Sequence, residues 1–298
     1  MKHHYVPRFL MRRWTGEDGR LYSFSQHRDR IVCVPRAPEH TGYEGGLYAV
    51  GPNALDVEED ILENKIFGPI DNDAARALDK LEKHEVLSEK DHIAWTFFLT
   101  SLRMRQPDVL EFLRNEGFAH FRETLAAQDM AQPPPGPLGT EEWYRENWPG
   151  VMEAQTLTSW LPRMIFEKET LDCFGGLNWW IQEFEQDQPR LLLSDLPIHW
   201  EGGFHGEDFL IQLPIGPRRV FFGARSQETE DRVSRVPHGQ LITRINRTSI
   251  ASSAQRIWAA HREEAQALLE ANHTIWGAHV QGFADVAPWL DADRAPEN

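Results

Sequence analysis

The sequence predicts an α+β fold: a helical block packed on a small, mostly antiparallel sheet, in a single domain with a Pro-rich internal loop. Three observations predict it. Strand-like segments cluster near the start of the chain and again after residue 178, and long segments of helical periodicity lie between them. Neither a regular strand–helix–strand alternation nor an internal repeat runs through the 298 residues.

His3–Val6 reads as a short extended piece. Pro7 then suits the first position of a helix to which Phe9, Leu10 and Trp14 contribute apolar side chains, and Gly16 to Gly19 ends it. Leu21–Ser25 and Ile31–Val34 read as a hairpin around a turn at 27–30, and Leu47–Val50 as a third extended piece. Helices are expected at 53–67, 71–84 and 88–105. The last opens on Ser88-x-x-Asp91, a capping-box-like start, and is apolar nearly all round, so it should be the buried central helix. A further helix runs from Pro107 to about Met130. The Gln132-Pro-Pro-Pro-Gly-Pro-Leu-Gly139 stretch is a stiff loop that can join neither helix nor sheet. Helices near 140–148 and 152–168 come next, then strands at 179–184, 190–193, 209–213 and 220–224, then helices at 240–260 and 262–271. One domain should span residues 1–285, its early hairpin joining the later sheet, with 286–298 as a flexible acidic tail.

Composition excludes several classes. Cys33 and Cys173 are the only cysteines, which rules out a disulfide framework or a Cys-rich zinc site and fits a reducing, cytoplasmic setting. No run approaches the roughly 18 apolar residues of a membrane span. Arg8, Arg12 and Arg13 interrupt any signal-peptide core. The net charge of −15 disfavours broad nucleic-acid binding, but it is unevenly spread. Residues 1–36 hold eight Lys/Arg against three acids, and residues 51–100 five against twelve. An anionic small molecule or a nucleic acid would therefore find favourable potential only near the N-terminal segment, unless its arginines pair with the acidic helices that follow.

Chemistry-bearing residues occur in four places. His3 and His4 are adjacent on an extended segment and so face opposite ways; one can act while the other anchors. On a 53–67 helix, Glu59 and Glu63 would share an apolar stripe with Leu55, Leu62 and Ile66, where carboxylates need an arginine, a proton or a cation. If instead Val57 and Ile61 mark the core side, both glutamates are solvated. Arg105 ends the buried helix, where it can serve the helix dipole or clamp an anion. Asp195 follows an apolar strand, as a turn-former or a functional loop residue. His199, Glu201 and His205 are metal-capable, but the run passes through Gly202-Gly203 and lacks helical spacing. Nucleotide-binding glycine loops, nucleophile elbows and zincin motifs are absent.

The opening His3-His4-Tyr5-Val6-Pro7 with its basic helix, the Glu58/Glu59/Glu63 cluster, Arg105-Gln106-Pro107 and Ser194-Asp195-Leu196-Pro197 occur in an order that resembles the family catalogued as domain of unknown function 4238. The resemblance spans roughly residues 2 to 260. Leu196 stands where that family has Asn, and Pro214-Ile215-Gly216-Pro217 where it has Pro-Leu-Ser-Pro. The resemblance supports the fold boundaries and implies no activity. The side-chain chemistry suggests a hydrolase acting on phosphodiesters or a similar anionic substrate, with a divalent metal as the one cofactor such groups could hold. His3 or His4 would be base or ligand, Glu59 and Glu63 ligands or acid/base, Arg105 the anion clamp and Asp195 an orienting group. The competing class is a non-catalytic accessory or immunity-type binding protein, in which the same residues form a buried structural network.

Overall fold

In the computed structural model, which describes residues 1–279 apart from Asp29 and Pro135, the opening motif is interior. Tyr5, Val6, Leu10, Met11 and Trp14 are all buried. β1 (Lys2–His4) pairs antiparallel with β4 (Tyr43–Gly45), setting His3 opposite Glu44 and His4 opposite Tyr43. The chain then turns on Gly42, whose carbonyl accepts hydrogen bonds from the Tyr5 and Val6 amides. Gly42 has a left-handed φ of 62°, and a Cβ there would lie 2.9 Å from the Met11 sulfur, so only glycine fits.

The hairpin β2 (Leu21–His27) and β3 (Arg30–Arg36) forms one sheet with β6 (Leu193–Ser194) and β10 (Ile257–Ala259), in the order β3-β2-β10-β6. A second sheet has the order β5-β9-β8-β7, from β5 (Asn178–Glu183), β7 (His199–Glu201), β8 (Leu210–Gly216) and β9 (Arg219–Ala224). Every pairing between these strands is antiparallel. The early hairpin thus joins the late strands β6 and β10, but in a four-stranded sheet separate from that of β5, β7, β8 and β9. Trp14 ties the opening segment to the stretch before β6, its indole N–H donating to the Leu191 carbonyl at 3.0 Å. The result is a single-domain α+β fold, as the sequence predicts.

The helix at Glu89–Met104 begins on a full capping box: Ser88 accepts from the Asp91 amide while Asp91 accepts from the Ser88 amide. Trp95, Phe98 and Leu102 are wholly buried, and Trp95 meets Phe221 of β9 edge-on at 5.3 Å. Beside it runs the Gly68–Glu82 helix, which continues a π-helical turn at Glu63–Phe67.

Four expected elements differ. The strand expected at 190–193 is coil up to Leu192, and β6 begins only at Leu193. The helix expected at 53–67 starts only at Ile61, because Asn53 Oδ1 accepts from the amides of Leu55 and Val57 and Asp56 takes a left-handed φ of 49°. An Asx-type turn here outcompetes the helix. Leu55, placed in the buried stripe by helical spacing, is 57 % exposed. Leu47–Val50 is buried but is turn and coil, and β4 lies just before it. The helix expected at 240–260 stops at Ser252, and Ile257–Ala259 is the strand β10. The acidic tail, 286–298, lies outside the described residues.

Candidate functional site: a buried polar network

β1 points His3 into the protein, where its side chain is completely buried. Its Nδ1 accepts the Tyr48 backbone N–H at 3.1 Å, and its Nε2 lies 2.8 Å from Asp60 Oδ1. An accepting Nδ1 carries no proton, so the hydrogen-bond pattern assigns the single ring proton to Nε2, which donates to Asp60. The ring stacks on Tyr48 at 4.2 Å with an interplanar angle of 8°. Tyr48 in turn donates its hydroxyl to Glu63 Oε2 at 2.5 Å, and its ring packs on Phe67 at 4.6 Å. Burial holds the Tyr48 phenol well above its ordinary pKa, and the Glu63 charge adds to this. It stays a hydroxyl donor.

Arg105 closes the network from the end of the Glu89–Met104 helix. Its side chain is fully buried, with Nη1 on Asp71 Oδ1 at 2.8 Å, Nη2 on Ser101 Oγ at 2.7 Å and Nε on the Ser101 carbonyl at 3.4 Å. Its guanidinium lies over the Phe67 ring at 4.6 Å. Phe67 is therefore shared, Tyr48 packing on it from one side of the network and Arg105 from the other. Asp71 keeps about a quarter of its side chain exposed (24 %), yet burial of its carboxyl pushes its pKa up to about 6, against the opposing pull of Arg105. Near neutral pH it is still the anionic partner.

Of the residues singled out in the sequence, His3, Glu63 and Arg105 belong to this network. The other three do not. Glu59 is exposed, and among the described residues its backbone carbonyl alone is engaged, by the Val50 amide. His4 faces the opposite way, its Nε2 3.2 Å from the Pro38 carbonyl and its ring against Tyr43. Asp195 is buried elsewhere: Oδ1 accepts from Ser253 Oγ and the Ala254 amide, Oδ2 from the amides of Gln255 and Arg256. It caps the bend that leads into β10. Burial raises its carboxyl above the usual range, while the amides pull the other way.

Tyr48, Asp60 and Asp71 are network members that the sequence reading missed. Glu63 and Asp71 are eight residues apart, and Asp60 stands immediately before the helix that starts at Ile61, three residues ahead of Glu63. The basic N-terminal segment spends charge locally: Arg12 pairs with Glu39 at 2.9 Å, and Arg13 with Glu82 and, at 3.6 Å, Asp79. Among the described residues, no three His, Cys, Asp or Glu side chains gather so as to hold a metal ion, and no helix is long and apolar enough to cross a membrane.

His4, outside the network, gives the fold a pH dependence. Burial lowers its pKa from 6.5 to about 4, the Pro38 carbonyl opposing and Arg8 and Lys2 adding to the effect. The unfolded chain then takes up this proton first as pH falls, so the associated stability is complete above about 6.5 and is lost towards 4. Thermal unfolding of a His4→Gln variant should therefore fall less steeply across this window than that of the unaltered protein. Equal slopes would show that His4 is not a source of the acid lability.

Fold and network together define an α+β protein organised around a His–Asp–Tyr–Glu–Arg–Asp chain of contacts whose His3, Tyr48 and Arg105 are buried and whose carboxylates are partly exposed. The chain belongs to the family described as "Protein of unknown function (DUF4238)", whose model matches residues 2–263. No curated protein and no solved structure matches it.

Proposed function

We propose that this protein is a non-catalytic binding protein, and that the His3–Tyr48–Glu63–Arg105 network is the clamp holding its N-terminal segment in the fold. The observation that carries this reading is the engagement of both His3 nitrogens, one by the Tyr48 amide and one by Asp60, on a ring with no exposed surface. A general base needs a nitrogen within reach of the proton it takes. An anion clamp needs guanidinium N–H groups facing the ligand, whereas those of Arg105 are spent on Asp71 and Ser101. The alternative is a phosphodiester hydrolase built on His3, Glu63 and Arg105, with or without a divalent metal.

The purified protein, with and without Mg2+ or Mn2+, should leave bis(p-nitrophenyl) phosphate and a single-stranded oligonucleotide uncleaved. Turnover that depends on His3, lost in a folded His3→Gln variant, would overturn the binding-protein reading.

A further inference from the structure

A second set of polar groups lies outside the network. β7, the segment before it and the helix at His238–Ser252 enclose a cavity of about 200 Å3, with Arg103 in its wall. A larger cavity of about 560 Å3 lies against it and shares Thr248 and His279. His199 lines the smaller cavity with only 8 % of its surface exposed, and its Nε2 has no hydrogen-bonding partner among the described residues. The amide nitrogen of Gln212, its cross-strand neighbour on β8, is also buried and unpartnered. So is the hydroxyl of Ser249, next to Thr248 on the helix. Buried polar atoms without partners are rare in folded proteins, and one that lines a cavity, as His199 Nε2 does, points to something in that cavity that satisfies it.

The lining indicates what that is. Thr248 and Ser252 supply hydroxyl donors, Arg103 adds positive charge to the wall of the smaller cavity, Arg244 and Arg247 extend the positive lining into the larger one, and among the described residues no carboxylate lines either. Arg103 is held in place by Asp108 through bonds of 2.8 and 2.6 Å. Arg244 is paired with Glu201, whereas Arg247 forms no ion pair among the described residues. Leu196, Ile198 and Trp200 form an apolar wall. Donors on one side and apolar surface on the other are the composition of a site for a small amphiphilic acid.

We infer that this paired cavity binds a small organic anion, its carboxylate or phosphate oxygens taken by the donors around His199 and Arg247 and its apolar body lying on Leu196, Ile198 and Trp200. Burial keeps His199 neutral, lowering its pKa to about 4, so the ring can donate a hydrogen bond without carrying a charge to be solvated. The inference is independent of the clamp: His3 and Arg105 do not line either cavity.

The probes are benzoate and phenyl phosphate, with benzamide as a neutral control of similar shape, titrated calorimetrically into the full chain. At least one anion should bind at micromolar to millimolar concentration, and which of the two binds separates a carboxylate site from a phosphate site. Benzamide should bind at least tenfold more weakly. His199→Ala and Arg247→Ala should each weaken binding about tenfold or more. Because His199 Nε2 is unpartnered, His199→Ala should unfold at the same temperature as the parent or higher, which a histidine built in for structure would not do. Thr248→Phe, which fills the shared wall, should abolish binding and leave the fold intact. Failure of both anions to bind the parent protein, equal binding of benzamide, or unchanged affinity in the His199, Arg247 and Thr248 variants would overturn the proposal.

Discussion

Arg105→Ala is expected to lower the unfolding free energy by about 3–5 kcal/mol, the usual cost of removing one partner of a buried ion pair. Three effects combine. Asp71 is left with an uncompensated carboxylate whose pKa burial already raises, Ser101 loses two partners, and the Phe67 ring loses the guanidinium stacked on it. Removing both charges should be less damaging than removing one. Arg105→Ala combined with Asp71→Ala should therefore recover part of the loss in urea unfolding. If the two losses simply add, Arg105 and Asp71 are not coupled and the network is not a unit.

Asp195→Ala should cost about 3 kcal/mol or more, because one carboxylate serves three backbone amides and the Ser253 hydroxyl. The informative comparison is Asp195→Asn, which preserves size. Its NH2 group would face donors that need an acceptor, so it should be nearly as destabilising as alanine. Hydrogen exchange should show the effect first at Ile257–Ala259, since the bend that Asp195 holds leads into β10, the strand that joins the early hairpin to β6. A mild Asp195→Asn phenotype would indicate a role other than satisfying these donors.

Asp195 also shows where sequence reading stops. Nothing between Ser252 and Arg256 breaks a helix: there is no Gly or Pro, and the helical pattern continues. The helix ends because a carboxylate 58 residues earlier binds the Ser253 hydroxyl and the amides that follow. Such a long-range contact leaves no local trace. The 53–60 segment failed for a different reason. Leu55, Glu59, Leu62 and Glu63 fit helical spacing, but Asn53 binds its own downstream amides, and this local competitor outweighs the periodicity. That error drew attention to Glu59, which is exposed, and away from Asp60, which holds His3.

Other features were legible because they follow from burial alone. An opening segment carrying Tyr5, Phe9, Leu10 and Trp14 cannot remain a free tail, and its apolar positions are interior. Adjacent strand residues point to opposite faces, and His3 and His4 do so. A helix that is apolar all round becomes the centre of the core, as Trp95, Phe98 and Leu102 show.

The clamp can be tested most directly by urea unfolding of His3→Ala. Removing the ring leaves the Tyr48 amide and Asp60 without their buried partner and opens a gap against the Tyr48 ring. The expected loss is about 2–4 kcal/mol. A residue kept for catalysis behaves otherwise, since such groups are commonly held at some expense to stability. Unchanged or raised stability in His3→Ala would contradict the clamp.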